Sequence, residues 1–78
     1  MTILATNNDI IIMSDISNYK VYTKEYDNNR FQICLSDGEP LGECYLGIYS
    51  SYEVANSVKL DLYDAIVRGN GSFKMPRI

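Results

Sequence analysis

Seventy-eight residues, 46% of them hydrophobic, make one small domain, too apolar for a disordered chain but limited to burying about 60–65% of its unfolded surface. A net charge of −3 with the acids spread along the chain argues against general affinity for nucleic acid or anionic membrane, since both rest on clustered positive charge. Two cysteines and no histidine exclude a four-ligand zinc site built from soft ligands and the ordinary Ser–His or Cys–His nucleophile pairs.

No apolar run approaches the ~20 residues that span a bilayer. The N-terminus lacks a basic region followed by a long apolar one, so no secretory signal is expected and cytoplasm is the default location. Cys34 and Cys44 are expected as free thiols on opposite faces of a sheet.

Residues 1–18 read as an N-terminal arm or extra strand. Thr2 to Ala5 is apolar, Thr6-Asn7-Asn8-Asp9 is turn-rich, and Ile10 to Met13 is apolar and largely β-branched. A hairpin fits this pattern, and so does a loose arm with one strand. Ser14 to Asn18 is a polar connection.

Residues 19–49 predict an antiparallel sheet. From Tyr19 to Tyr26 the chain alternates, with Tyr19, Val21 and Thr23 on one side and Lys20, Tyr22, Lys24 and Tyr26 on the other. Asp27-Asn28-Asn29 is a turn. Phe31, Ile33 and Leu35 then alternate with Arg30, Gln32, Cys34 and Ser36. Asp37-Gly38 followed by Pro40 marks a second turn. Cys44, Leu46 and Ile48 alternate with Glu43, Tyr45, Gly47 and Tyr49. The expected apolar face is Val21, Phe31, Ile33, Leu35, Cys44, Leu46 and Ile48.

Residues 50–69 predict one amphipathic helix. Ser50 with Glu53 has capping-box spacing, and Tyr49 with Val54 has staple spacing. Arg68 suits the carbonyl end of the helix dipole, and Gly69 the left-handed residue that ends many helices. Val54, Ala55, Val58, Leu62, Ala65 and Ile66 share a core face at about 100° per residue. Glu53, Ser57, Asp61, Asp64 and Arg68 form a polar stripe. Residues 70–78 are a tail, with Asn70-Gly71-Ser72 as a turn and Phe73, Met75 and Ile78 as anchors. The whole is a single α+β domain: a three-stranded antiparallel meander, with or without an extra N-terminal strand, packed on one C-terminal amphipathic helix.

Catalysis is not expected. Neither a phosphate-cradling glycine motif nor a calcium loop is present. Asp61 and Asp64 read as a solvated helix face, and Glu39 and Glu43 flank a turn. No catalytic group, metal or cofactor follows from these residues.

Two surfaces remain for binding. Tyr52, Asn56, Leu60, Tyr63 and Val67 project from the helix away from its core face, with Glu53 and Asp64 beside them. A helix that only covered a sheet would carry charge at 60 and 67. The sheet's open face would carry Lys20, Tyr22, Lys24, Tyr26, Arg30, Gln32, Tyr45 and Tyr49, which include three of the seven basic residues and four of the seven tyrosines. Interleaved aromatic and basic groups can stack on bases or track phosphates. Tyrosine equally suits protein contact and is an ordinary strand former.

Leu46-Gly47-Ile48-Tyr49-Ser50-Ser51 with Ala55 resembles the end of an AP2-type DNA-binding domain, over about Phe31 to Gly69. That family has a three-stranded sheet followed by a helix and reads DNA with Arg- and Trp-rich strands. This chain has no Trp, and Glu25, Asp27, Asp37, Glu39 and Glu43 fall in or beside the strands. The resemblance implies shared topology and, as an alternative function, nucleic-acid binding through the sheet. The leading expectation is a small acidic non-enzymatic protein-binding module. It would act as an inhibitor of phage or mobile-element type, occupying a basic or nucleic-acid-binding surface of a host complex, as a DNA mimic does. A homodimer through Leu60 and Val67 is equally compatible.

Overall fold

A computed structural model describes residues 1–13, 19–36 and 42–77. Ser14 to Asn18, the Asp37-Gly38/Pro40 turn with Glu39, and the Ile78 anchor lie outside the described residues. Among the described residues the elements run β1 (Thr2–Leu4), β2 (Ile10–Ile12), β3 (Lys20–Glu25), β4 (Phe31–Ser36), β5 (Cys44–Tyr49), α1 (Tyr52–Val67) and β6 (Ser72–Lys74). The strands form two sheets, ordered β3-β4-β5 and β2-β1-β6. The first is the expected antiparallel meander, and α1 packs across all three of its strands.

In the second sheet the hairpin reading of the N-terminus holds, with Thr2 opposite Ile12 and Leu4 opposite Ile10. Its turn places Asn8 at a φ of 73°, a conformation Asn tolerates better than most residues. The tail adds β6 parallel to β1, through Thr2 N–H to the Gly71 carbonyl and Met75 N–H to the Leu4 carbonyl, both 2.9 Å. One core serves both sheets and the helix. Ile3, Met13 and Met75 from the first and last segments meet Ile33, Leu35 and Leu46 of the meander and Ala55, Val58 and Leu62 of α1.

The register of β5 differs from simple alternation. Ile33 faces Gly47 but Cys34 faces Tyr45, so Leu46 is an extra residue on β5. This β-bulge inverts the side-chain alternation beyond it. Leu46 stays in the core, but Tyr49 turns inward and is buried, while Ile48 turns out beside Gln32 and is half-buried. The expected assignment of Ile48 to the core and Tyr49 to the open face is thereby exchanged. The extra residue's carbonyl accepts from Thr6 N–H at 2.9 Å, so the bulge also joins the two sheets.

The helix cap shifts by one residue. Ser51, extended at φ −152°, accepts from Val54 N–H at 3.2 Å through its Oγ; the expected cap was Ser50. At the other end Gly69 has φ 74°. Gly69 N–H donates to Ile66 at 3.1 Å and Asn70 N–H to Ala65 at 3.0 Å, which closes the helix in a Schellman motif and satisfies two of its last carbonyls.

Candidate functional site

The outward side of the helix is an open apolar surface. Its inward face is as expected, with Ala55, Val58, Leu62 and Ala65 buried and Val54 and Ile66 half-buried. On the outward side Leu60, Tyr63 and Val67 are 56%, 64% and 65% exposed. Successive members are three and four residues apart, so the three line one side of the helix over about two turns. The described part of the tail does not cover this patch, because β6 and Met75 run to β1 and Pro76 lies against the other flank of the helix.

Where α1 meets the edge strand β3, the patch descends into a groove of about 370 Å³. Tyr19 and Val21 form its sheet wall, Leu60, Leu62, Tyr63 and Ile66 its helix wall, and Lys59 lines it too. Asp64 sits beside the patch and is held by Arg68 at 2.9 Å. Tyr52 is half-exposed at the start of the helix, with its ring edge-on to Phe31 at 5.8 Å between centroids. Asn56 lies between, half-buried. Glu53 is set apart from the groove. It lines a shallower depression with Ser57, Asp61 and Pro76.

The open face of the meander is organised differently. Lys24 reaches over the central strand to Glu43 at 3.7 Å. The Tyr45 hydroxyl donates to the same carboxylate, which raises the phenol's pKa. Beneath this cover Cys34 is fully buried, and burial pushes its thiol pKa up. Its Sγ lies 3.9 Å from Gln32 Oε1. Arg30 forks onto Asp27 at 2.6 and 2.8 Å and lies over the Tyr26 ring at 4.9 Å. The guanidinium hydrogen bond, followed by the Asn29 backbone N–H, lowers the Asp27 pKa. Lys20 lies 5.9 Å from the Tyr22 ring. Tyr49 is absent from this face because of the bulge, and Ile48 takes its place. A depression of about 390 Å³ follows between Tyr26, Gln32, Tyr45, Ile48 and Thr6.

Both cysteines are free, with Cys34 on the outward side of the sheet and Cys44 on the core side, opposite Leu35. Among the described residues no cluster of three or more His, Cys, Asp or Glu side chains is placed to hold a metal ion, and no helix is long and apolar enough to cross a membrane. The groove's sheet wall was not identified from sequence. Tyr19 and Val21 read as a strand's inner side, and only the position of α1 over the sheet shows that they border an open cleft. Comparison with family models, curated proteins and solved structures returns no match for this chain.

Proposed function

We propose that the protein is a non-enzymatic binding module that occupies the surface of a protein partner through the outward side of α1 and the groove beside β3. The observation that carries this is the exposure of Leu60, Tyr63 and Val67 at 56%, 64% and 65%, contiguous with an apolar cleft. Contiguous apolar surface of this kind usually marks an interaction site. The fitting partner inserts an apolar ridge into the groove and carries basic side chains around it. Those would meet the chain's net charge of −3 and, at the patch edge, the Asp64 carboxylate where it can exchange its Arg68 partner. The rim of a nucleic-acid-binding surface has that character, and inhibition by occupancy follows from it. Small size, acidity and the Asn-, Ile- and Tyr-rich composition fit an inhibitor from a phage or mobile element acting on a host complex.

The sheet-face alternative, nucleic-acid binding, has less support. Arg30 and Lys24 are already paired with Asp27 and Glu43, so little positive charge is free to displace counterions.

The test compares the wild type with Leu60→Lys/Val67→Lys as bait in a host lysate. Both positions are exposed, so circular dichroism and melting should be unchanged. The expected result is a stoichiometric protein partner retained by the wild type and lost by the variant. Recovery of the same proteins by both, or of nucleic acid in a salt-sensitive complex that needs Lys20, Lys24 and Arg30, would overturn the reading.

A further inference from the structure

We propose that β2 is a self-pairing edge and that two copies of this chain join through it into one continuous sheet, antiparallel about Ile11.

The direction of the free backbone groups fixes the geometry. Met1 and Met13 exchange backbone hydrogen bonds of 2.8 and 2.9 Å across the hairpin, and Ala5 N–H donates to the Asp9 carbonyl at 2.9 Å. Bonded and non-bonded pairs alternate along an antiparallel ladder. Ile11 is therefore bonded to Ile3, and the N–H and C=O groups of Ile10 and Ile12 point away from β1. Among the described residues nothing donates to or accepts from those four groups. A two-fold axis at Ile11 sets Ile10 of one copy opposite Ile12 of the other. All four groups on each copy are then used, in two reciprocal bonded pairs. Such a contact is isologous and closes at two copies.

The side chains favour the same pairing. Ile10 and Ile12 are 65% and 78% exposed and point to the outer face of the sheet beside Leu4. The two-fold places them next to their counterparts, in one stripe of β-branched cross-strand pairs. Asp9 falls opposite Met13 of the other copy, so no like charges meet. Sheet edges are normally protected by charge, bulges or cover, and, among the described residues, the other edges have such devices while β2 does not. Lys20 and Lys24 stand on β3, Lys74 stands on β6, and β5 carries the bulge at Leu46. β2 has three isoleucines and none of these. A three-residue edge buries less than the ~1,200 Å² of a standard interface, so the dimer is weak, with a dissociation constant on the order of 0.1–1 mM.

Sedimentation equilibrium of the wild type up to a few times that range should show the mass rising from 8.9 kDa toward twice that value and no further. Ile10→Lys/Ile12→Lys and Ile10→Glu/Ile12→Glu each set like charges across the two-fold. Each alone should stay monomeric, and an equimolar mixture should regain the dimer. Leu60→Lys/Val67→Lys should dimerise as the wild type does, which separates this interface from the helix surface. A wild type that stays monomeric throughout, single-charge variants that still dimerise, a mixture that does not, or a dimer lost with Leu60→Lys/Val67→Lys would each overturn the proposal.

Discussion

The Tyr49 hydroxyl donates a 2.9 Å hydrogen bond to the carbonyl oxygen of Pro76, tying the end of β5 to the tail across the core. The phenol is nearly fully buried, and burial pushes its pKa up to about 12. In the unfolded chain the same group ionises near 10. Between those values the unfolded state releases a proton that the folded state keeps, so stability falls as pH rises from about 10 to about 12. This group contributes a slope of up to about 1.4 kcal/mol per pH unit. Below pH 10 the contribution is flat. Tyr49→Phe should remove that slope and cost about 1 kcal/mol at neutral pH for the lost hydrogen bond. Urea denaturation of both proteins at pH 7 and across pH 9 to 11.5 measures both effects. A slope unchanged in Tyr49→Phe would show that other groups cause it.

Gly47 depends on the same ring. A β-carbon there would lie 2.9 Å from Tyr49 Oη, 3.0 Å from its Cε2 and 3.0 Å from Thr6 Cγ2. The ring cannot swing aside without losing its bond to Pro76. Gly47→Ala should therefore destabilise by about 1–3 kcal/mol, as overpacking does. In Tyr49→Leu the ring is absent and the penalty should shrink. A double-mutant cycle read by chemical denaturation checks this, and additive costs would mean that Thr6 or the backbone sets the limit.

These contacts mark where the sequence was legible and where it was not. The helix could be read because its apolar residues keep a 3.6 period up to Gly69, whose positive φ stops it. Two adjacent serines left the cap ambiguous by one residue. Leu60 and Val67 stood out because they are apolar and lie opposite the core face. The meander could be read from alternation. The inversion after Leu46 could not, because a bulge adds a residue without altering residue types, and Cys44–Tyr49 alternates equally well without it. The second sheet was only half legible. Ser72-Phe73-Lys74 is too short to show a period, and it pairs with Thr2–Leu4 from the far end of the chain. Cys34 occupies an outward position in the alternation, between Tyr22 and Tyr45 on the flanking strands and beside Gln32, and alternation alone does not show that this position is buried.

Thr23 Oγ1 is buried on the inner side of β3 opposite Ile33 and has no hydrogen-bond partner among the described residues. A hydroxyl removed from water without compensation costs about 1–3 kcal/mol. Valine has nearly the same shape and suits a strand. Thr23→Val should raise stability by about 1 kcal/mol, with circular dichroism unchanged. Thr23→Ser keeps the hydroxyl and loses the methyl, so it should lower stability. Denaturation midpoints separate the two, and a destabilised Thr23→Val would show that the hydroxyl has a partner, such as a bound water.

The two thiols should differ in reactivity. Cys34 is fully buried and its pKa is raised by that burial, an effect that outweighs the nearby Lys24 ammonium. Cys44 is only half-buried, at the start of β5. The thiolate is the reacting form, so Cys34 is slowed both by access and by proton affinity. With a thiol reagent at pH 8, the native protein should label at Cys44 first. Cys34 should react only as the fold opens, at a rate that follows denaturant concentration. Glu43→Gln loosens the cover by removing the carboxylate that Lys24 and Tyr45 share. It should speed Cys34 labelling severalfold while leaving Cys44 little changed. Peptide mass mapping after timed labelling assigns each site, and prompt native labelling of Cys34 would mean that the Lys24–Glu43–Tyr45 cover opens freely in solution.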